Sequence, residues 1–207
     1  SFYLAYQVAL VVGVALLVAL VAVPGARTAR FLGRLAAAGA LALAIVLPLA
    51  LPYVQVHQAQ GLERDLAQTE QRGALPWSYL TNVEPDNLVW RWLPSARNLE
   101  NSLFIGGVAG GGALVGVALG WRRRRALTAA LLLLAALAFV LSLGPTWRPE
   151  AGGTRALPYR LLFDHVPLFR GMRAPGRFGI LVNFAIVILA GCGAAWAWGR
   201  LRPRLTP

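Results

Sequence analysis

The sequence predicts an all-α, polytopic transmembrane helix bundle of about five spans, and three observations carry that expectation. Of 207 residues, 57% are hydrophobic and 14% charged, where a typical soluble domain has roughly a quarter of its residues charged; the mean hydropathy is +0.59. Five stretches, 2–23, 35–54, 102–121, 126–144 and 178–199, contain no Asp, Glu, Lys or Arg. At about twenty residues each they are long enough to cross about 30 Å of hydrocarbon, and a soluble core helix is rarely apolar on every face for that length. The charges that do occur are gathered into the linkers between these stretches. The whole chain, 1–207, reads as a single transmembrane domain with two long loops, 55–101 and 145–177. It opens at Ser1 with no initiator Met, basic n-region or small-residue cleavage site, so the first span is not expected to be a signal peptide and the chain is expected to be part of something longer.

The first span, FYLAYQVALVVGVALLVALVAV, has the Val, Leu and Ala composition of a plain lipid-facing helix. In the second, Pro48 and Pro52 stand one turn apart; each removes a backbone hydrogen bond and crowds the preceding turn, which predicts a bend. Residues 60–72 then place Leu62 and Leu66 one turn apart among charges, the pattern of a short interfacial helix. The third span carries Gly112, Gly116 and Gly120 at four-residue spacing, with Gly106 and Gly110 beginning a second row. Small residues so spaced let helices approach closely, so this helix is expected to be central or to pack against a missing part or partner subunit. A Leu/Ala-rich fourth span ends in SLGP, and loop 145–177 runs from a Gly- and Pro-rich segment into YRLLFDHVPLFRG, whose apolar residues suggest another interfacial turn or short helix.

Net charge is +12, from arginine alone. A nucleic-acid binder gathers its charge on one soluble face; these arginines flank apolar spans, so the expected partners are membrane lipids and not nucleic acid. Ten lie in residues 24–34, 122–125 and 200–207 with no acid among them, whereas the other ten share the two long loops with all eight acidic residues. Arginine-dense short linkers predict a cytoplasmic side, which puts the N-terminus outside, the C-terminus in the cytoplasm and both long loops outside. Trp121, Trp196 and Trp198 then mark the inner boundary, and Trp77, Trp90, Trp92 and Trp147 the outer one. The single cysteine, Cys192, lies within the last span and excludes an internal disulfide or a cysteine metal site.

No soluble-enzyme motif is present: there is no P-loop, HExxH or GxSxG, and no GxGxxG after a strand. His57 and His165 sit in different loops and read as interfacial hydrogen-bonding groups, not as a metal pair. Most carboxylates read as solvated; Glu100 stands at the mouth of the glycine-rich span. The sharper signal is FRGMRAPGRF, in which Arg170, Arg173 and Arg177 precede the last span. Their i, i+3, i+7 spacing is a helix face, but Pro175 favours a turn. Arginines there either snorkel into headgroups or hold a phosphate bidentately, and the positive-inside tendency disfavours such density without a purpose on the outer side.

GLERDLAQTEQRGALPWSYL, ENSLFIGG entering a span, LSLGP closing one and LPYRLLFDHVPLFRGMRAPGRFGIL resemble the carboxy-terminal part of poorly characterised bacterial membrane glycosyltransferases of the GT-C type. These are similar to the protein O-mannosyltransferase and arabinosyltransferase-like families. The resemblance covers about residues 1–199; Ile105 replaces the proline usual after this LF. It implies a bacterial inner-membrane transferase taking a sugar from a polyprenyl-phosphate donor at the outer face, with the catalytic acidic loop expected outside this chain and a divalent metal optional. On that reading Arg170, Arg173 and Arg177 bind the lipid phosphate and Trp77, Tyr79 and Glu100 line the cleft. The alternative is a non-enzymatic transmembrane subunit or scaffold that uses the glycine face as its interface. A carrier ranks last, because the spans hold no charge facing a cavity.

Overall fold

The computed structural model describes residues 2–60, 65–81, 89–90, 92–94, 102–147, 153–166 and 169–205. The chain is mostly helical: α1 (Phe2–Ala22), α2 (Ala29–Gln60), α3 (Leu66–Glu70), α4 (Gly107–Arg123), α5 (Arg125–Ser142), α6 (Pro158–His165) and α7 (Gly179–Leu205). Among the described residues a two-residue antiparallel ribbon also pairs β1 (Thr146–Trp147) with β2 (Arg155–Ala156), in the register Thr146 opposite Ala156.

Among the described residues four helices are long and apolar enough to cross a membrane: Tyr3–Ala22, Ala29–Pro52, Arg125–Ser142 and Pro175–Gly199. The fifth expected span, 102–121, is realised as the shorter α4. Residues 102–106 stay extended because Leu103 N–H donates to the Ser78 carbonyl (3.0 Å), its side chain packs against Gly179, and Gly106 turns the chain at φ 96°, a conformation that costs glycine little. Seventeen residues rise about 26 Å, the low end of what spans a bilayer.

Through Pro48 and Pro52 the helix α2 continues to Gln60, 32 residues or about 48 Å along its path. Its apolar window buries nothing against the rest of the chain, and it packs chiefly on the turn that delivers it, Pro24–Arg27. The interfacial helix expected near 60–72 shrinks to α3, and 61–64 lie outside the described residues.

The remaining helices form the bundle: α7 lies between α4 and α5, α4 also touches α5, and α1 packs on α5. Two clusters make the core. One joins Val14, Leu134 and Ala138 to Tyr159, Phe163, Phe169, Met172 and Phe178; the other joins Ala113, Leu131, Ala185 and Leu189 where the three central helices meet. Glycine sets the α4–α7 seam. A Cβ at Gly116 would collide with the Leu189 carbonyl, one at Gly193 with the Gly112 carbonyl, and one at Gly112 would sit 3.3 Å from the Ala190 Cβ; Gly120 meets Thr128 of α5 in the same way. Of the first small-residue row, Gly112 and Gly116 are thus filled by α7 and Gly120 by α5, whereas a Cβ at Gly106 or Gly110 of the second row would meet nothing within 4 Å.

Tyr3 and Gln7 of α1 bond to residues 174 and 177, so α1 starts at the end where the long loops converge, here the loop end. Its 21 residues carry the chain about 31 Å to the opposite end, where Arg122–Arg125 join α4 to α5 with Arg124 as the only residue between the helices. That end is called the tetrad end.

Candidate functional site

The arginine segment 169–178 is a rigid ledge at the loop end. Two short 3-10 turns, Phe169–Gly171 and Pro175–Phe178, flank an extended link, as Pro175 requires. Apolar residues alternate with the arginines and settle their direction: Phe169, Met172, Ala174, Pro175 and Phe178 are buried, while Arg170, Arg173 and Arg177 are exposed. Burying the intervening residues leaves each guanidinium facing away from the core.

Hydrogen bonds hold the ledge from two sides. Ala174 N–H donates to the Tyr3 hydroxyl (2.6 Å), and Gln7, 7% exposed, donates Nε2–H to the Arg177 carbonyl (2.9 Å). Gly176 N–H donates to the Arg72 carbonyl (3.2 Å). Beneath lies an aromatic floor in which Phe169 meets Tyr6 edge-on and tilts against Tyr159, both at 5.0 Å between centroids. The Tyr159 hydroxyl is buried without a hydrogen-bond partner among the described residues; burial, and secondarily the neighbouring Tyr3, push its pKa well above the usual phenol value.

The three arginines differ. Arg177 stacks its guanidinium 4.9 Å from the Tyr3 ring centroid. Arg170 lies 6.0 Å from the Phe163 centroid and donates Nε–H to the Phe163 carbonyl (3.4 Å). Arg173 has no hydrogen-bond, ion-pair or ring partner among the described residues. One exposed guanidinium therefore stands between two that are pinned by aromatic faces.

Beside the ledge opens a cleft of about 380 Å³ lined by Glu70, Gln71, Gly73, Leu75, Thr146 and Trp147, among others, within the range usual for small-molecule sites, about 300–1,000 Å³. Ledge and cleft share backbone. Gly73 presses on the Leu143 carbonyl, Ala74 N–H donates to the Ser142 carbonyl (2.7 Å), and a Cβ at Gly144 (φ 86°) would meet Gly73 Cα at 3.4 Å and Pro175 Cγ at 3.6 Å. The half-exposed Trp147 ring, the Glu70 carboxylate and the Gln71 amide give the cleft an aromatic platform and polar groups, the combination suited to a hydroxyl-rich ligand.

The other residues singled out in the sequence fall elsewhere. Trp77 is exposed and lines a separate hollow of about 560 Å³ with Trp92, Leu80 and Pro94. Tyr79 turns to α5, its hydroxyl 2.8 Å from Ser142 Oγ and its ring against Phe139; burial, slightly offset by the Ser142 bond, pushes its pKa up to about 12. Glu100 lies outside the described residues. The sequence marks Trp147 only as an outer-boundary residue and gives no sign of Glu70 or Gln71, because the cleft forms only when segments some seventy residues apart meet; an isolated acid after a short apolar run carries no signal of that meeting. Among the described residues no group of three or more His, Cys, Asp or Glu is placed to hold a metal, and His165 Nδ1 lies 3.0 Å from the Leu161 carbonyl. No family model, no curated protein and no solved structure matches the chain.

Proposed function

We propose that this membrane protein is glycosyltransferase-like and holds a polyprenyl-phosphate sugar at its loop end, with the phosphate on the arginine ledge and the sugar in the adjoining cleft. The carrying observation is the closeness of the two: three exposed guanidiniums on a segment whose intervening residues are buried, joined by the Gly176–Arg72 backbone bond and the packing of Pro175 beside Gly144 to the cleft that holds Glu70, Gln71 and Trp147. A guanidinium binds phosphate oxygens bidentately, and α7 beside it offers an apolar face for the isoprenoid chain. In the proposed transfer an acceptor hydroxyl attacks the anomeric carbon as the bond from that carbon to the lipid phosphate breaks, and the hydroxyl proton passes to the catalytic carboxylate proposed to lie outside this chain. Negative charge grows on that phosphate, where fixed guanidiniums stabilise it. Arg173 is the adjustable clamp; Arg170 and Arg177 are pre-set by their rings.

In this reading the loop end faces the outside of a bacterial plasma membrane. The support is charge: Arg27, Arg30, Arg34 and Arg122–Arg125 gather at the far end with no acidic residue in those linkers, the distribution of a cytoplasmic side. Binding of radiolabelled polyprenyl phosphate to the full chain in nanodiscs is the test. Arg173→Glu should abolish retention, while Arg30→Glu, equal in charge change but at the other end, should not. Absence of binding by the unmodified chain, or equal loss in both variants, overturns the proposal.

A second reading, a non-enzymatic subunit of a larger complex, draws on α2, whose apolar length is unburied within this chain. Because α7 and α5 already occupy Gly112, Gly116 and Gly120, such a complex would use α2 or the open side of α4 at Gly106 and Gly110. Cross-linking from α2 to a stoichiometric partner in cells would favour it.

A further inference from the structure

We infer that the tetrad end carries a built site for one anionic diacyl phospholipid, its phosphate between Arg123 and Arg124 and an acyl chain in the groove beneath them. This site is independent of the donor proposal, lying at the opposite end of the bundle. The groove, about 370 Å³, opens where α4, α5 and α7 meet. Gly116, Leu119 and Arg123 come from α4, Leu127 and Leu131 from α5, and Arg124 from the link between them. From α7 come Leu189, Cys192 and Trp196. At its inner wall Gly116 admits the Leu189 carbonyl of α7 and Gly120 the Thr128 side chain of α5, so the three helices meet closely there. Its wall is apolar and its rim is basic, which is the amphipathic profile of a lipid.

Charge selects the occupant. Arg122, Arg123, Arg124 and Arg125 are all exposed, and no Asp or Glu occurs between Glu100 and Glu150, nor anywhere after Asp164. The protein therefore offers these guanidiniums no carboxylate in the helices that frame the groove. A basic pocket between spans that opens onto the lipid favours a headgroup already in the bilayer. Trp196 at the rim fits the headgroup zone.

Native mass spectrometry of the full chain in micelles doped with equal phosphatidylglycerol and phosphatidylcholine reads the site. The unmodified chain should retain phosphatidylglycerol over phosphatidylcholine on the order of tenfold, as two arginines near an anionic headgroup imply. The double variant Arg123→Gln, Arg124→Gln should lose that preference, whereas Arg30→Gln, Arg34→Gln should keep it. Cys192→Phe fills the groove without touching charge and should release the bound lipid, and excess inorganic phosphate should not displace it. Absence of preference in the unmodified chain, equal loss in the Arg30/Arg34 control, retention by Cys192→Phe, or displacement by phosphate each overturns the inference.

Discussion

Replacing Gly116 with alanine tests whether α4 and α7 are joined by backbone contact. A Cβ at 116 would overlap the Leu189 carbonyl oxygen and stand 2.7 Å from its carbon. Unlike a side chain, that carbonyl cannot rotate away, so the helices must part by about 1 Å to restore ordinary carbon–carbon separation, about 3.5–4.0 Å. A gap of that size forfeits about a quarter to a half of each pair's ~0.1–0.2 kcal/mol. Spread over about forty atom pairs, roughly what one buried leucine makes, the loss is about 2 kcal/mol, inside the range of about 1–3 kcal/mol for overpacking. Alanine also stabilises a helix by about 0.5–1 kcal/mol relative to glycine, which masks part of the effect. Gly111→Ala corrects for this: it lies in the same helix and a Cβ there meets nothing within 4 Å. The two variants should therefore differ by about 2 kcal/mol, or roughly 4–8 °C in Tm for a chain of this size, measured by near-UV circular dichroism in nanodiscs of one lipid composition. If Gly116→Ala melts at or above Gly111→Ala, the seam is not what the geometry describes.

Three further outcomes follow from the loop end. Gln7→Ala removes the bond to the Arg177 carbonyl and should destabilise by about 1–2 kcal/mol, with faster amide exchange over 174–178. Arg173→Glu should leave the melting temperature unchanged, whereas Arg177→Glu, which loses the Tyr3 ring, should lower stability by about 0.5–1 kcal/mol; equal melting of the two refutes the distinction. Tyr79, raised to about 12 by burial from an ordinary value of 10.0, holds its neutral form more firmly in the folded chain. The stability this contributes is complete below pH 10, the value for the unfolded chain, and is lost as pH rises through 12; ultraviolet titration of Tyr79→Phe should show one late-ionising tyrosine fewer than the unmodified chain.

Some of the site was legible before any coordinates. FRGMRAPGRF announces a turn through Pro175 and exposes its arginines by alternating them with residues that seek the core, because burial preference is a property of each side chain. The cleft was not legible. Glu70 and Trp147 come together only through Gly73 and Gly144 at a crossing of two loops, and nothing in either segment names the other. The three-helix groove escaped notice for the same reason, although the RRRR run at its rim was plain.

By itself the sequence determined that the chain is helical and apolar enough to meet a membrane, since hydrocarbon accepts only backbone whose polar groups are internally bonded, and composition records that directly. It also determined where charge collects. Tertiary structure alone decided that α4 starts at Gly107 and not at 102, that α2 runs on past two prolines unpacked, and that α7 packs on Gly112 and Gly116. Those outcomes depend on which surfaces meet: a hydrogen bond from Leu103 to Ser78 or a carbonyl against Gly116 joins residues far apart in the chain, and local pattern carries no information about such partners.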